Sequence, residues 1–438
     1  MKKVLVIGGA RSGSAISRLL IKKGFDVYLS DLAKLSNKEQ LLKEGIHVED
    51  GGHPQYLKEQ TYAFVVKNPG IPYDVPFLKY FIEAKYEIYT EIEIAYRYAK
   101  HFKYGAITGT NGKTTTTTML HTLLKTSFKS YVAGNIGIPL SEIVLQHEKE
   151  VVYVALELSN FQLLGCKQFK PQVSTILNLS PDHLDYMDSL EAYYVSKTKI
   201  YENCDEHDYF IRNIDDASVL KYTSNIHATI LDISRHQKAD IYIKDQIVYL
   251  KDVVLFQLKD LNVVGTHNIS NAMVAAAMAY VLGVDVQKIQ EGVGNIGAVE
   301  HRLEAVDTIG EIRFYNDSKA TNPEAIIPAI QAFDRSLILL AGGYDKGLSL
   351  DILKKYRPCI KKCFAYGETK HKFINIFDTI LCKDLPSAFQ QAIAFARSGD
   401  VILLSPACAS YDQFESYEER GNMFKQLVAE YKKGEINE

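Results

Sequence analysis

The stretch Gly105-Ala-Ile-Thr-Gly-Thr-Asn-Gly-Lys-Thr-Thr-Thr116 decides the fold of this chain. Tyr104 to Thr108 is an apolar run of strand length that breaks into a glycine turn, and the turn feeds a helix opening with threonines. Strand, glycine loop and helix N-terminus in that order make a phosphate cradle. Glycine lets backbone N–H groups point inward, and the helix end carries partial positive charge. Gly109 and Gly112 supply the turn, Lys113 reaches for the outer phosphates of a nucleotide, and the Thr114 hydroxyl suits Mg²⁺. The strict pattern wants a glycine six residues before Lys113, where this chain has Ile107, so the loop is a shortened variant. An ordinary strand–turn–helix joint has no need of Gly-Lys-Thr.

The block around this loop spans residues 98–298. Val151 to Leu156 reads as a strand ending at Glu157, and a carboxylate at a neighbouring strand's end sits close to the metal in phosphate-loop folds. The plainer reading of Glu157 is a solvated strand terminus. Val173 to Leu177 is the next strand, followed by Ser180-Pro-Asp-His-Leu-Asp185. His183, flanked by Asp182 and Asp185 at the carboxyl edge of the sheet, reads as metal-proximal. Gly265-Thr-His-Asn-Ile-Ser-Asn271 leads into a helix over Ala272 to Leu282. Asn268 and Asn271 are three apart and share a face, which suits amide contacts to an adenine edge. Helix capping by Asn268 or Ser270 explains the same residues equally well.

Residues 1–97 open with a strand, Lys3 to Ile7, a turn from Gly8 to Gly13 and a helix from Ser14 to Lys23. Phe25 to Ser30 and Tyr62 to Val66 are further strands, followed by Asp31 and by Asn68-Pro69-Gly70. The turn is like a dinucleotide fingerprint, but Ala10 stands where the second glycine would admit the pyrophosphate. A Rossmann-like domain for a diphosphate-bearing nucleotide is expected, with Asp31 at the ribose position; a nicotinamide dehydrogenase is disfavoured.

Residues 299–438 carry three polar junctions after apolar runs. Phe314 leads into Asn316-Asp-Ser-Lys-Ala-Thr-Asn322, with a helix expected from Pro323, capped by Asn322 or Thr321, and its positive end beside Lys319. Leu337 to Ala341 leads into Gly342-Gly-Tyr-Asp-Lys-Gly347, and Val401 to Leu404 into Ser405-Pro-Ala-Cys-Ala-Ser-Tyr-Asp412. At strand ends of one sheet these would line one crevice, with Lys319, Lys346 and Ser410 making a pocket for a small dicarboxylate.

At 438 residues the chain is too long for one core. A net charge of −3 gives no broad basic surface for nucleic acid. None of the six cysteines form Cys-x-x-Cys, and Cys359 and Cys363 read as buried thiols on or beside a helix, which suits a reducing compartment. No apolar run reaches the ~18 residues of a membrane span, and the apolar start is too short for a signal peptide before Gly8-Gly9 and Arg11.

Taken together these motifs resemble the Mur ligases, the ATP-dependent amide-forming enzymes of peptidoglycan precursor synthesis. Gly134-Asn-Ile-Gly137, Leu156-Glu-Leu-Ser-Asn-Phe-Gln162, Asp182-His-Leu-Asp185, Glu300-His-Arg-Leu303 and Ser405 to Phe414 add to the phosphate loop, and the likeness covers essentially the full length. It implies an α/β chain of three domains: a Rossmann-like N-terminal domain, a P-loop-type central ATP-binding domain with a mostly parallel sheet, and a Rossmann-like C-terminal domain. It implies a cytoplasmic, monomeric enzyme that adds D-glutamate to UDP-N-acetylmuramoyl-L-alanine through an acyl phosphate. ATP would be held by Gly109, Thr110, Asn111, Gly112, Lys113, Thr114 and Thr115, with Asn268, Asn271, Arg302 and Asp317. The UDP substrate would meet Ala10, Arg11, Ser12, Gly13, Asp31, Asn68, Pro69, Gly70, Asn135 and His183. D-Glutamate would lie among Lys319, Thr321, Lys346, Ser410 and Tyr417. Two Mg²⁺ ions would use Thr114, Glu157, His183 and a carbamylated Lys197, with Lys113, His183 and Lys197 catalytic. A plain surface lysine is the alternative for Lys197, and Lys199 close by shows how little local sequence decides. Arg11 in the first turn and Asn160 in place of a common serine depart from the pattern; the Asp-Asn-Pro-Arg motif of diamino-acid-adding members is absent. The rivals are another amide ligase of the superfamily, adding L-alanine or acting on folate, and a phosphate-loop ATPase that moves a partner.

Overall fold

The apolar runs assemble into three sheets in the computed structural model, which describes residues 1–180, 189–263, 265–297, 300–333 and 337–435. The first sheet holds β1 (Lys3–Ile7), β2 (Asp26–Asp31), β3 (His47–Asp50), β4 (Val65–Lys67) and β5 (Ile88–Tyr89), all parallel, in the order β3-β2-β1-β4-β5. Both faces of β1 are buried: Val4 and Val6 pack with Ile16, Leu19 and Leu20, while Leu5 and Ile7 pack with Val65, Phe77 and Phe81. That is why β1 reads as an unbroken apolar run. The chain order reverses beside β1, so a crevice opens where β1 and β4 end. Only glycine fits there at 13, since a Cβ would fall 1.8 Å from the Gly8 carbonyl oxygen. The expected strand over Tyr62 to Val66 is shorter and later; Tyr62 instead packs in the apolar face beneath β4.

The second sheet has nine strands: β6 (Phe102–Thr108), β7 (Ser130–Gly134), β8 (Val152–Glu157), β9 (Val173–Ile176), β10 (Tyr209–Asn213), β11 (Thr229–Ile233), β12 (Ile241–Lys244), β13 (Ile247–Leu250) and β14 (Val253–Gln257). The order β14-β13-β12-β11-β10-β9-β6-β8-β7 puts β6, which ends in the phosphate loop, between β8 and β9. The sheet is mostly parallel, as expected; at one edge β12, β13 and β14 form an antiparallel ribbon.

The third sheet joins β15 (Glu304–Ile309), β16 (Ile312–Asn316), β17 (Leu337–Gly342), β18 (Ile360–Tyr366), β19 (Thr379–Leu381) and β20 (Val401–Leu404) in the order β15-β16-β20-β17-β18-β19. Only β15 runs antiparallel. Two compact units result: Met1–Leu261 with Ser270–Ile296 holds the first two sheets, and Asn262–Ile269 with Gly297–Glu438 holds the third. The helix expected from Pro323 is absent. Asn322 does cap a turn, its Oδ1 accepting from the Ala325 N–H at 2.8 Å, but the helix is Ile327–Gln331. Pro328 forbids the longer one, because inside a helix it would lack the N–H owed to Glu324. Lys319 therefore has no helix N-terminus beside it of the kind expected. Cys359 ends a 3₁₀ segment, Asp351–Cys359, and Cys363 is buried on β18 just after it, so of the expected buried thiols beside a helix only Cys359 departs, being half-buried.

Candidate functional site

Many of the proposed contact residues that the structure describes follow a strand or open a helix; Lys197 instead sits in the last turn of the helix Leu190–Thr198, and Arg302 precedes β15. The loop after β6 turns through Gly109 (φ +148°) and Gly112 (φ +82°) into the helix Lys113–Leu124. Gly112 brings no capping side chain, which leaves the first-turn N–H groups for an anion. The loop is held from β9's side. The Asn111 N–H donates to Asn178 Oδ1 at 2.8 Å, Asn178 Nδ2 returns a bond to the Asn111 carbonyl at 3.0 Å, and the Thr110 N–H donates to the Asn178 carbonyl at 3.0 Å. Lys113 Nζ lies over the loop, donating to the carbonyls of Gly109 (2.9 Å) and Thr110 (2.8 Å). Thr114 and Thr115 follow in the first turn.

Lys197 is buried, so the surface-lysine alternative is wrong. Its Nζ donates to the Gly109 carbonyl at 3.2 Å and lies 4.5 Å from the centre of the Tyr193 ring. Lys199 instead pairs with Glu202 at 3.1 Å. Glu157 ends β8 buried, not solvated. Its Oε1 accepts from Asn135 Nδ2 at 2.8 Å, and Oε2 is buried with no hydrogen-bond partner among the described residues. Buried polar atoms are rarely left so. An unpaired carboxylate oxygen beside a phosphate loop fits a hard cation such as Mg²⁺. Among the described residues no group of three or more His, Cys, Asp or Glu is arranged for a metal. His183, with Asp182 and Asp185, lies outside the described residues.

The helix carrying the two amides is Thr266–Val281, longer than expected at its start. Asn268 and Ser270 thus lie inside it, and the capping alternative fails for both. Asn271 is buried, and its Oδ1 stands 2.8 Å from where a Gly112 Cβ would be, so it touches the phosphate loop directly.

In the first sheet the Asp31 carboxylate is occupied by its own turns, accepting from the N–H groups of Gly9 (2.6 Å) and Ala33 (2.8 Å). An open depression of about 380 Å³ close by is lined by Gly9, Ala10, Arg11, Arg18 and Lys34. Asn68 Nδ2 donates to Ser12 Oγ at 3.3 Å, and the Gly70 N–H to Asn68 Oδ1 at 3.2 Å, so Asn68-Pro69-Gly70 joins the turn that ends in Gly13.

In the third sheet the three junctions follow β16, β20 and β17, which are adjacent. Thr321 and Lys346 line one small depression, with Thr369, Lys372 and Cys408. Lys319 Nζ lies 5.6 Å from the Tyr417 ring centre, and Ser410 is buried. Arg302 stands between two residues in left-handed backbone, His301 (φ +63°) and Leu303 (φ +44°). Asp317 is buried; its oxygens accept from Ser405 Oγ (2.6 Å) and the Leu303 N–H (3.1 Å). Burial pushes its carboxyl up to about 7, against the Ser405 bond and the Arg302 charge. A folded pKa raised above the unfolded value means the native state holds the proton more tightly, so stability is lost as pH rises from about 4 to about 8. Urea unfolding of Asp317→Asn beside the parent should show it: the parent loses a few kcal/mol relative to the variant over that window. A constant difference would refute the raised pKa.

Reading the motifs alone missed Asn178, Tyr193 and Ser405. Asn178 and Ser405 each come just after a strand, a position that could have marked them.

Comparison with known proteins fits this geometry. The Mur ligase middle domain matches residues 107–279, and the Mur ligase glutamate ligase domain matches 301–408. The UDP-N-acetylmuramoylalanine–D-glutamate ligases of Bacillus mycoides and Bacillus anthracis are each 40% identical, covering 98% of this chain and 97% of theirs. Among solved structures, the UDP-N-acetylmuramate–alanine ligase of Thermotoga maritima superposes with a TM-score of 0.59 at 20% identity, covering 99% of this chain and 100% of that one. The pseudomurein peptide ligase type C of Methanothermus fervidus gives 0.60 at 20% identity, over 98% and 100%.

Proposed function

The chain belongs to the Mur ligase family, and from that premise we propose how its three sheets divide one amide-forming reaction. The reaction is the ATP-dependent addition of D-glutamate to UDP-N-acetylmuramoyl-L-alanine in peptidoglycan synthesis, the activity named for the Bacillus relatives. Residues 1–97 take the UDP part, 98–298 the ATP and 299–438 the amino acid. The enzyme works as a cytoplasmic monomer; its six cysteines are free, and no helix among the described residues could cross a membrane.

One observation carries the chemistry: the open helix N-terminus at Lys113 and the buried amine of Lys197 meet at one loop, and Glu157, in register with Ile107 just before that loop, has an oxygen with no partner among the described residues. A carboxylate does not condense with an amine in water, because hydroxide leaves poorly. ATP, a substrate here, gives its γ-phosphoryl to the L-alanine carboxylate. The bond to the β-phosphate breaks, and ADP leaves. The D-glutamate amine attacks the acyl carbon, loses a proton and expels phosphate. Lys113 and the first-turn N–H groups stabilise charge on the transferring group. Thr114, Glu157 and His183 would hold Mg²⁺ at two sites, which when bound supplies charge neutralisation for the phosphates. Lys197 fits carbamylation: adding CO₂ to the amine leaves one N–H for the Gly109 carbonyl and makes the group an anion. Asn268, Asn271, Arg302 and Asp317 take the rest of the nucleotide. Asn135, tied to Glu157 at 2.8 Å, faces the muramoyl side. Lys319, Thr321, Lys346, Ser410 and Tyr417 surround D-glutamate.

Phosphate release in the presence of UDP-N-acetylmuramoyl-L-alanine tests this. D-Glutamate should exceed L-glutamate, L-alanine and L-lysine by about a hundredfold or more, since a site built for polar groups rejects the wrong geometry strongly. ADP should be the only nucleotide product. Release without any amino acid would favour a plain ATPase, and AMP with pyrophosphate would contradict the acyl phosphate.

A further inference from the structure

Lys67 closes β4 with its side chain buried, 1% exposed, and no carboxylate among the described residues pairs with it. Its Nζ donates to three carbonyls of the loop that follows: Asn68 (3.2 Å), Pro69 (3.2 Å) and Ile71 (2.8 Å). The Tyr73 ring centre lies 4.5 Å from the same atom. Three protons meet three acceptors, so the ammonium is satisfied by one loop alone. Burial lowers its pKa to about 8, which still leaves it charged at neutral pH. Burying a cation without an anion is unfavourable, and an apolar side chain would fill the same space without that cost.

The loop it holds lies against the candidate substrate turn. A Cβ on Gly8 would stand 2.7 Å from Asn68 Cβ, and Asn68 reaches Ser12 through its amide. Carbonyl oxygens repel a diphosphate. Turning three of them onto one ammonium removes them from the ligand's side and sets a positive charge behind the loop.

We propose that Lys67 is a positioning residue for the diphosphate-bearing substrate, fixing the loop 68–71 against the turn 8–13 so that it presents the Asn68 side chain to the anion with the Asn68, Pro69 and Ile71 carbonyls held on the ammonium. The proposal rests on the first sheet binding the UDP part. The test is calorimetric binding of UDP to the full-length parent, Lys67→Met and Lys67→Gln, with hydrogen exchange of the Gly70 and Ile71 amides and steady-state kinetics. Both variants should weaken UDP binding, methionine by about tenfold or more and glutamine by less, because glutamine keeps a donor. KM for the UDP substrate should rise in step, while KM for ATP and D-glutamate stays within about twofold. Exchange at Gly70 and Ile71 should quicken with β1 unchanged. A parent that fails to bind UDP would sink the substrate assignment and this proposal together. Parent-like binding or parent-like exchange in Lys67→Met would sink the proposal alone. Global unfolding of both variants would overturn it too, since the lysine would then hold the fold and not the loop.

Discussion

Replacing Lys113 with alanine is expected to abolish amide formation, lowering kcat/KM by about a thousandfold or more, roughly 4 kcal/mol of transition-state stabilisation. The ammonium is the one side-chain charge built into the loop itself, over the carbonyls of Gly109 and Thr110 at 2.9 and 2.8 Å. Those two bonds are local and half-buried, so their loss should move the unfolding midpoint little. A nucleotide would draw the ammonium off these carbonyls and onto its phosphates, where the charge acts on the group being transferred. Most of the loss should therefore fall on kcat, with UDP binding retained because the first sheet is untouched. Lys113→Arg keeps the charge but not the point-like ammonium, and should recover only part of the rate. Amide formation by Lys113→Ala at the parental rate would mean that the triphosphate binds elsewhere.

The parts of the site that sequence revealed are those where backbone geometry restricts the residue type. Gly13 has no room for a Cβ, and Gly109 and Gly112 take backbone that favours glycine. Glu157 was visible because a strand ended on it. What stayed hidden depends on tertiary partners. Nothing in Val195-Ser-Lys-Thr-Lys-Ile200 distinguishes Lys197, buried against Gly109, from Lys199, paired with Glu202. Asn178 looked like a loop residue until β9 set it beside β6. The antiparallel ribbon was missed for another reason. Ile241 to Leu250 alternates as a hairpin should, but its turn is Asp245-Gln246, both residues in left-handed backbone (φ +50° and +62°) without the usual glycine. No helix starts at Pro323 because Pro328, five residues on, would lie inside it.

Glu157→Gln should separate a working carboxylate from a structural one. Glu157 is buried, with Oε1 on Asn135 and Oε2 on nothing among the described residues. In the protein without ligands that is a cost, since a buried charge lacking its second partner stays desolvated. Glutamine keeps the shape and removes the charge, so the ligand-free variant should unfold at the same temperature as the parent or a few degrees higher. The balance reverses when Mg²⁺ and nucleotide arrive. A carboxylate is a far better ligand for a hard cation than an amide, and the variant should lose about a hundredfold or more in kcat/KM while needing more Mg²⁺ to saturate. Thermal stabilisation by Mg²⁺ with ADP, read as a shift in the unfolding midpoint, should shrink in parallel. These two readouts move in opposite directions only if the free oxygen exists to meet a cation. A variant that is less stable without ligands yet keeps its rate and its Mg²⁺ requirement would make Glu157 a packing residue, and the metal would have to find its protein ligand elsewhere around the loop.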